Sequence, residues 1–327
     1  MKYLLVDTAN MFFRARHVAA RGADSWSKIG MSLHITFNAL LKTYRSHKPD
    51  HIIFCLEARS WRKDHTETYK RNRQEAKDAM TKAQAEEDKL FWETYDEFVK
   101  WLDTNTNASV IRCDTAEADD LIARWIHLHP HDEHIICSTD SDFYQLLAPN
   151  VIIENGVTNQ IITLDGFFDD KGKPVIDKKT KEHKQPGDPK WILFEKIMRG
   201  DATDNVFSAY PGVRTKGSAK KVGLLEAFED RDKKGYAWNN MMLQRWTDHE
   251  GVEHRVLDCY ERNRTLIDLT AQPNDIKQRI DTYLMNVAPK QVSMVGAKFL
   301  KFCGKFELKR ISDNIQGHID FLTAEYK

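Results

Sequence analysis

Nine carboxylates in five short segments carry most of the chemistry this sequence offers. Asp7 stands in LLVDTAN, Glu57 in IIFCLEARSW, and Glu117, Asp119 and Asp120 in TAEADDLIARW. Asp140 and Asp142 stand in STDSDFYQLL, and Asp201 and Asp204 in RGDATDN. Each has an ordinary structural use. An Asp after a strand caps the next helix, Asp114 with Glu117 resembles a capping box, and first-turn acids suit the helix dipole. Glu57 alone reads as a surface carboxylate, and Asp201 and Asp204 as turn formers. Three acids in four residues exceed what capping needs, however, and Glu117 and Asp120 share a side of their helix. Asp142 can cap the helix after it, which leaves Asp140 without a structural duty. Two unit charges about 4 Å apart repel by roughly 4 kcal/mol at an effective dielectric of about 20. A set this dense calls for cations. Carboxylate oxygens with water suit Mg²⁺, with Mn²⁺ as substitute. Two such ions stabilise the attacking and leaving oxygens of an in-line phosphoryl displacement. No Cys or His pattern competes for a softer metal.

Two basic segments could bind the phosphates such a centre would act on. In WRKDHTETYKRNR, Arg62, Lys63, Lys70, Arg71 and Arg73 accompany Trp61 and Tyr69. Lys70 and Arg73, three apart, face one way if helical. Basic groups supply phosphate contacts, and an aromatic ring offers a platform for an unpaired base. The plainer reading is a solvated helix face. In AYPGVRTKGSAKKVG, Pro-Gly-Val makes a tight hairpin between two helices. Its backbone N–H groups, with Arg214, Lys216, Lys220 and Lys221, suit a duplex phosphate backbone gripped without base readout. Simple helix–turn–helix packing is the alternative. Lys298, Lys301, Lys305, Lys309 and Arg310 read as solvated surface.

The elements that must position these groups alternate. Apolar runs at 3–6, 51–56, 109–111, 134–137 and 151–154 read as buried strands, separated by helix patterns at 31–46, 86–103 and 115–128. Strand–helix alternation implies an α/β fold with a mostly parallel sheet flanked by helices. Sites in such sheets lie at the carboxyl ends of strands, so functional acids should follow strands. Residues 58–89, dense in charge, read as a helical insertion over the sheet edge, and 169–190 as a mobile loop or linker. Beyond Trp191 the pattern is helical, near 190–199, 217–228, 255–268, 275–285 and 293–303. The division this predicts is an α/β domain at 1–188, with its insertion, and a helical region at 189–327.

Composition agrees with a soluble chain of 327 residues, 41% hydrophobic and 30% charged. The 49 basic and 49 acidic residues cancel, so clustering of each sign matters more than the sum. No apolar run approaches the length of a membrane span, and MKYLLVDTANMFF reads as a first strand rather than a secretory signal. Five scattered cysteines without CxxC spacing point away from disulfides and zinc, and toward a reducing cytoplasm.

Taken in order, VDTAN, WRKDHTETYKRNR, AEADD, STDSDF, GDATDN and PGVRTKGSAKK resemble the phage-type 5′ nucleases. That family groups flap endonucleases, phage 5′→3′ exonucleases and ribonuclease H, and the 5′-nuclease domain of bacterial DNA polymerase I. Each motif is weak alone; their order and spacing are specific and cover most of the chain. The resemblance implies a PIN-like nuclease fold with a helical arch and a helix–three-turn–helix element in the C-terminal helical region. It gives Asp7, Glu117, Asp119 and Asp140 to a first metal, Asp142, Asp201 and Asp204 to a second, and Asp120 to either. Glu57 stands where the family commonly has Asp, and its longer chain still reaches a cation. Lys70 and Arg73 match arch residues that contact the scissile phosphate, with Asp140 in the catalytic set, and Tyr69 matches a ring that stacks on a terminal base. Arg62 and Lys63 extend the nucleic-acid surface, and the turn from Gly212 through Gly217 to Ser218 holds K⁺ against a phosphate. The implied activity is two-metal hydrolysis at 5′ ends or flaps of DNA and RNA–DNA duplexes, including RNA primer removal in replication. The implied setting is a monomer in the cytoplasm of a phage-infected host, beside replication proteins such as a single-strand binding protein. The balance of exonuclease, flap-endonuclease and primer-removing activity stays open, and residues 171–184 match no motif.

Overall fold

The computed structural model describes residues 1–18, 24–218 and 221–326. Its central sheet has seven strands: β1 (Lys2–Asp7), β2 (His51–Cys55), β3 (Ser109–Ile111), β4 (Glu133–Cys137), β5 (Val151–Asn155), β6 (Gln160–Thr163) and β7 (Gly166–Asp169). They lie in the order β3-β2-β1-β4-β5-β6-β7. The first five are parallel: Leu4 of β1 faces Ile52 on one side and Ile135 on the other. Leu4, Leu5, Val6, Ile52, Ile53 and Phe54 are all fully buried, because helices cover both faces of a parallel sheet. The chain leaves β1 for β2 and β3 on one side and returns to β4 on the other, so the switch point lies between β1 and β4.

The sequence reading found the five buried strands and missed β6 and β7, which pair antiparallel at the far edge. Four residues each and partly exposed, they give no long apolar run. The predicted mobile loop at 169–190 is instead hydrogen-bonded: Val175 N–H donates to Phe167 O, Lys184 N–H to Val175 O, and Phe167 N–H to Lys184 O. Lys184 Nζ lies 3.9 Å from the centre of the Phe167 ring.

Helices Thr8–Val18, Ser25–His47, Lys82–Asn105 and Ala118–Leu128 flank the sheet. Asp24 caps the second by accepting from Trp26 and Ser27 N–H, and Thr81 with Gln84 forms a capping box on the third. Phe12, Phe37, Phe54 and Phe98 form one core with Phe299, Phe302, Phe306 and Phe321 from the far end of the sequence. Burying each of those rings is worth about 1.5–3 kcal/mol, so the C-terminal segment is part of the α/β unit's core.

The chain accordingly forms two compact units. The first comprises Met1–Arg59, Met80–Pro186 and Gln278–Lys327; the second comprises Ser60–Ala79 and Gly187–Lys277. This differs from the contiguous division at 188: the last fifty residues belong with the sheet, and most of the expected arch belongs with the helical unit. Inside the second unit, Phe194, Met198, Leu224, Trp238, Met241 and Val256 share a core. Tyr69, Ile197, Val206, Leu266 and Ile267 make a smaller one that ties down the 60–79 segment. A hairpin, Arg245–Thr247 with Glu253–Arg255, was not foreseen from sequence.

Candidate active site

The acids of the first unit follow strand ends, as the α/β reading requires. Asp7 closes β1, Glu57 lies two residues past β2, Glu117, Asp119 and Asp120 follow β3, and Asp140 and Asp142 follow β4. The strand order therefore ranks them along one edge as the Glu117 group, Glu57, Asp7, then the Asp140 pair. Ser138 joins the last two: its hydroxyl donates to Asp7 Oδ2 at 2.9 Å and accepts from Asp140 N–H at 3.1 Å. Asn10 adds a second tie, its N–H 3.3 Å from Asp7 Oδ1 and its Oδ1 accepting from Thr139 N–H and hydroxyl. On the other side, Ala118 N–H lies 3.4 Å from Glu57 Oε2, and Ala58 N–H donates to Ala116 O.

Helix Ala118–Leu128 opens with a reciprocal cap at Glu117 and Asp120, three residues later than the Asp114–Glu117 box read from sequence. Asp120 is fully buried, Glu117 is buried, and Asp119 half so. Oxygens from the three lie within 4.8 Å of one another. Three carboxylates cost several kcal/mol to hold so close without a cation. The donors are all hard oxygens, which fits a divalent ion of the Mg²⁺ or Mn²⁺ class rather than a thiophilic metal. Buried Cys55 has its thiol pKa pushed well up by burial and then by the Asp7 charge. Tyr95, whose buried hydroxyl has no hydrogen-bond partner among the described residues, has its pKa raised by burial and then by Glu57 and Asp7.

Asp140 does have a structural duty. Its Oδ1 accepts from Asp142 N–H at 2.9 Å and caps the 3₁₀ turn Ser141–Leu146. The cap uses one oxygen, and the side chain remains exposed.

In the second unit, Asp204 gathers the basic segment. Arg73 Nη2 lies 2.6 Å from Asp204 Oδ1, Lys70 Nζ 3.7 Å from Oδ2, and the Tyr69 hydroxyl donates to Oδ2 at 3.0 Å. The backbone locks the same junction: Lys70 N–H donates to Asp204 O, and Asn72 Nδ2 to Ala202 and Thr203 carbonyls. Lys70 takes φ 55°, a left-handed conformation rare outside glycine. Asp201 pairs with Lys196 at 2.8 Å; burial works to raise its pKa, but that ion pair and local N–H donors hold it below the usual carboxylate value.

The 210–221 segment departs from expectation. Arg214, Lys216, Ser218 and Lys221 are exposed, while Lys220 lies outside the described residues. Gly212, at φ 73°, makes the turn. The backbone N–H of Gly217, however, is already donated to both oxygens of Glu226, and that of Ser218 to Lys221 O. Those N–H groups are therefore engaged within the chain, while the cationic side chains of Arg214, Lys216 and Lys221 are exposed. The helix predicted from 217 starts only at Leu224, because Gly217 and Gly223 pack backbone to backbone: a Cβ on Gly223 would lie 2.3 Å from Gly217 N.

Residues 2–172 match the model of the 5′–3′ exonuclease, N-terminal resolvase-like domain. The chain belongs to that 5′–3′ exonuclease family. It is 24% identical over 325 residues to a DNA polymerase I from Rhizobium leguminosarum, covering 95% of this chain and 28% of that protein's length. The T5 D15 protein co-crystallised with metal ions and the T5 5′-exonuclease with bound zinc each match with TM-score 0.60 at 18% identity. They cover 88% of this chain and 100% and 99% of theirs. A T5 flap endonuclease in a complex with DNA and metal ions matches with TM-score 0.57 at 19% identity, over 88% of this chain and 99% of that one. The α/β fold and the family expected from the sequence are thus both found.

Within this exonuclease-family chain, two residues assigned to nucleic acid are core groups. Arg62 is 1% exposed, donates through Nε to Leu266 O at 2.8 Å and lies 4.7 Å over the Trp61 ring. Tyr69 is 3% exposed, so its ring offers a base no free face. Their spacing beside exposed Lys63 and Arg73 hid this, because alternation of burial inside so short a segment leaves no periodic signal. Ser138 and Asn10 were missed in turn; both sit inside quoted motifs, as the Ser of STDSD and the Asn of DTAN, but only the register of β1 with β4 shows what they hold.

Proposed function

We propose that this chain hydrolyses phosphodiester bonds at 5′ ends or branch points of DNA and RNA–DNA duplexes by a two-metal route. The observation that carries this reading is the first unit's acidic edge, above all the oxygens of Glu117, Asp119 and Asp120 within 4.8 Å of one another. When bound, Mg²⁺ or Mn²⁺ would lower the pKa of water and neutralise charge developing on the phosphate. The chain's own residues do the rest. Asp7 and Asp140, bridged by Ser138, and Glu57, anchored at Ala118 N–H, present carboxylate oxygens along one sheet edge. In the second unit, Lys70 and Arg73 supply cations that a phosphate would draw away from Asp204, offsetting transition-state charge. Arg214, Lys216 and Lys221 bind duplex phosphates without reading sequence. The same reading puts K⁺ at the 212–218 turn, a monomer in the cytoplasm of a phage host, and replication proteins beside it.

Asp140→Asn tests the assignment. It keeps an oxygen to cap the turn at Asp142 and removes a charge. Cleavage of a 5′-flap duplex should fall at least a hundred-fold while binding in chelator stays within about three-fold. Equal loss of both would mean Asp140 is a structural cap, not part of the reacting centre.

A further inference from the structure

The Trp61 and Tyr69 rings are buried, so neither offers a substrate base an exposed face. Another ring in the same unit is exposed. Phe207, three residues past Asp204, is 65% exposed, yet its backbone is among the most firmly held in the loop. Asn263 Nδ2 donates to Phe207 O at 2.7 Å and to Ile197 O at 2.9 Å, and Asn263 is fully buried. Ala209 N–H and the Ser208 hydroxyl both donate to Met198 O. Gly200, at φ 77°, packs against this carbonyl so closely that a Cβ there would lie 2.3 Å from Val206 O and 2.6 Å from the Phe207 carbonyl carbon. The loop backbone is hydrogen-bonded on both sides of Phe207, and the ring it carries is in water.

The same Asn263 orients a cation. Its Oδ1 accepts from Arg262 Nε at 3.1 Å and Nη2 at 2.9 Å, and Nη2 also lies 3.5 Å from Phe207 O. Arg262 is exposed. A fully buried amide thus holds the backbone that carries an exposed phenyl ring and, through its oxygen, an exposed guanidinium. A single exposed Phe is commonplace and needs no explanation. A ring held through its backbone carbonyl, and a guanidinium held directly, by one buried residue match the two parts of a nucleotide: a flat base that stacks on any aromatic face, and a phosphate that accepts from the guanidinium fork.

We propose that Phe207 and Arg262 form a nucleotide subsite that stacks an unpaired or chain-terminal base of the substrate and holds its phosphate. This rests on the nuclease reading above, and the subsite discriminates ends and junctions from continuous duplex, whose bases are already stacked. It carries no sequence preference, since every base has a π-face.

The test places 2-aminopurine singly at the 5′-flap, junction and first duplex positions, and follows its fluorescence on binding in chelator. With the full chain, at least one position near the end or junction should respond. Phe207→Leu should abolish that response and weaken binding about ten-fold, the loss of one stacked base. Phe207→Trp should restore both, and Arg262→Ala should lower the slope of log affinity against log salt by about one. The unfolding midpoint should not move for Phe207→Leu, because the ring lies outside the core. A Phe207→Leu protein indistinguishable from the unsubstituted chain in fluorescence and affinity overturns the subsite while leaving the nuclease reading intact. Failure of the unsubstituted chain itself to bind or cut the flap overturns that reading, and the subsite with it.

Discussion

Ser138 shows how little separates a motif from its meaning at the scale of single residues. In sequence it is the first letter of STDSD; in the structure its hydroxyl bridges Asp7 and the Asp140 backbone. Partners behind metal-holding carboxylates typically matter by 10–100-fold. Ser138→Ala should therefore weaken Mn²⁺ binding, followed by calorimetry, about 10–100-fold, with the unfolding midpoint changed by a few degrees at most. Unaltered affinity would mean that the β1 and β4 ends position Asp7 without it. The placing of the first unit's acids was legible because each segment follows an apolar run, and the parallel sheet ranks those segments along one edge. Arg62 and Tyr69 were not, since a basic and an aromatic residue in a charged segment look the same whether they enter a core or face water. What buries them is a core made by Ile197, Val206, Leu266 and Ile267, far along the chain.

Among elements, the turn before helix Leu224–Asp230 depends on Glu226, which accepts from Gly217 and Gly223 N–H. Its own N–H, with those of the two glycines, holds its carboxyl pKa below the usual value, outweighing the opposing effect of burial. A folded pKa below the unfolded one means the cap contributes above the unfolded pKa of about 4.3 and is lost as pH falls through the folded value. Amide exchange at Gly217 and Gly223 should thus accelerate on acidification below about pH 4 beyond its intrinsic trend, and Glu226→Gln should flatten that dependence. Identical pH profiles in the two proteins would deny the cap its role. Sequence placed this helix seven residues early, because SAKK reads as helical while the glycine-to-glycine approach that forbids it is a tertiary fact. The short strands β6 and β7 escaped for a related reason: edge pairing needs a neighbour, not a hydrophobic run.

For the whole molecule, the instructive difference between the sequence reading and the compact units lies at residue 188. A linear reading expects a nuclease domain followed by a helical one. The first unit's core instead includes Val295, Phe299, Phe302, Phe306, Ile311, Phe321 and Leu322. A fragment of residues 1–188 should therefore lack a cooperative thermal transition and expose its apolar surface to a hydrophobic dye. A fragment that melts cooperatively near the full chain's midpoint would show the C-terminal segment to be dispensable. No helix among the described residues is long and apolar enough to cross a membrane. The first unit carries the acidic sheet edge and the second the cations held at Asp204, and the function proposed above gives each of them a part in phosphate chemistry. The most direct test of that account is single-turnover cleavage of a 5′-flap duplex by the full chain, with Mg²⁺ and with chelator. The account predicts a cut near the junction that leaves a 5′-phosphate, present with Mg²⁺ and absent without it. Tight binding with no cut in either Mg²⁺ or Mn²⁺, or cutting that persists undiminished in chelator, would contradict it.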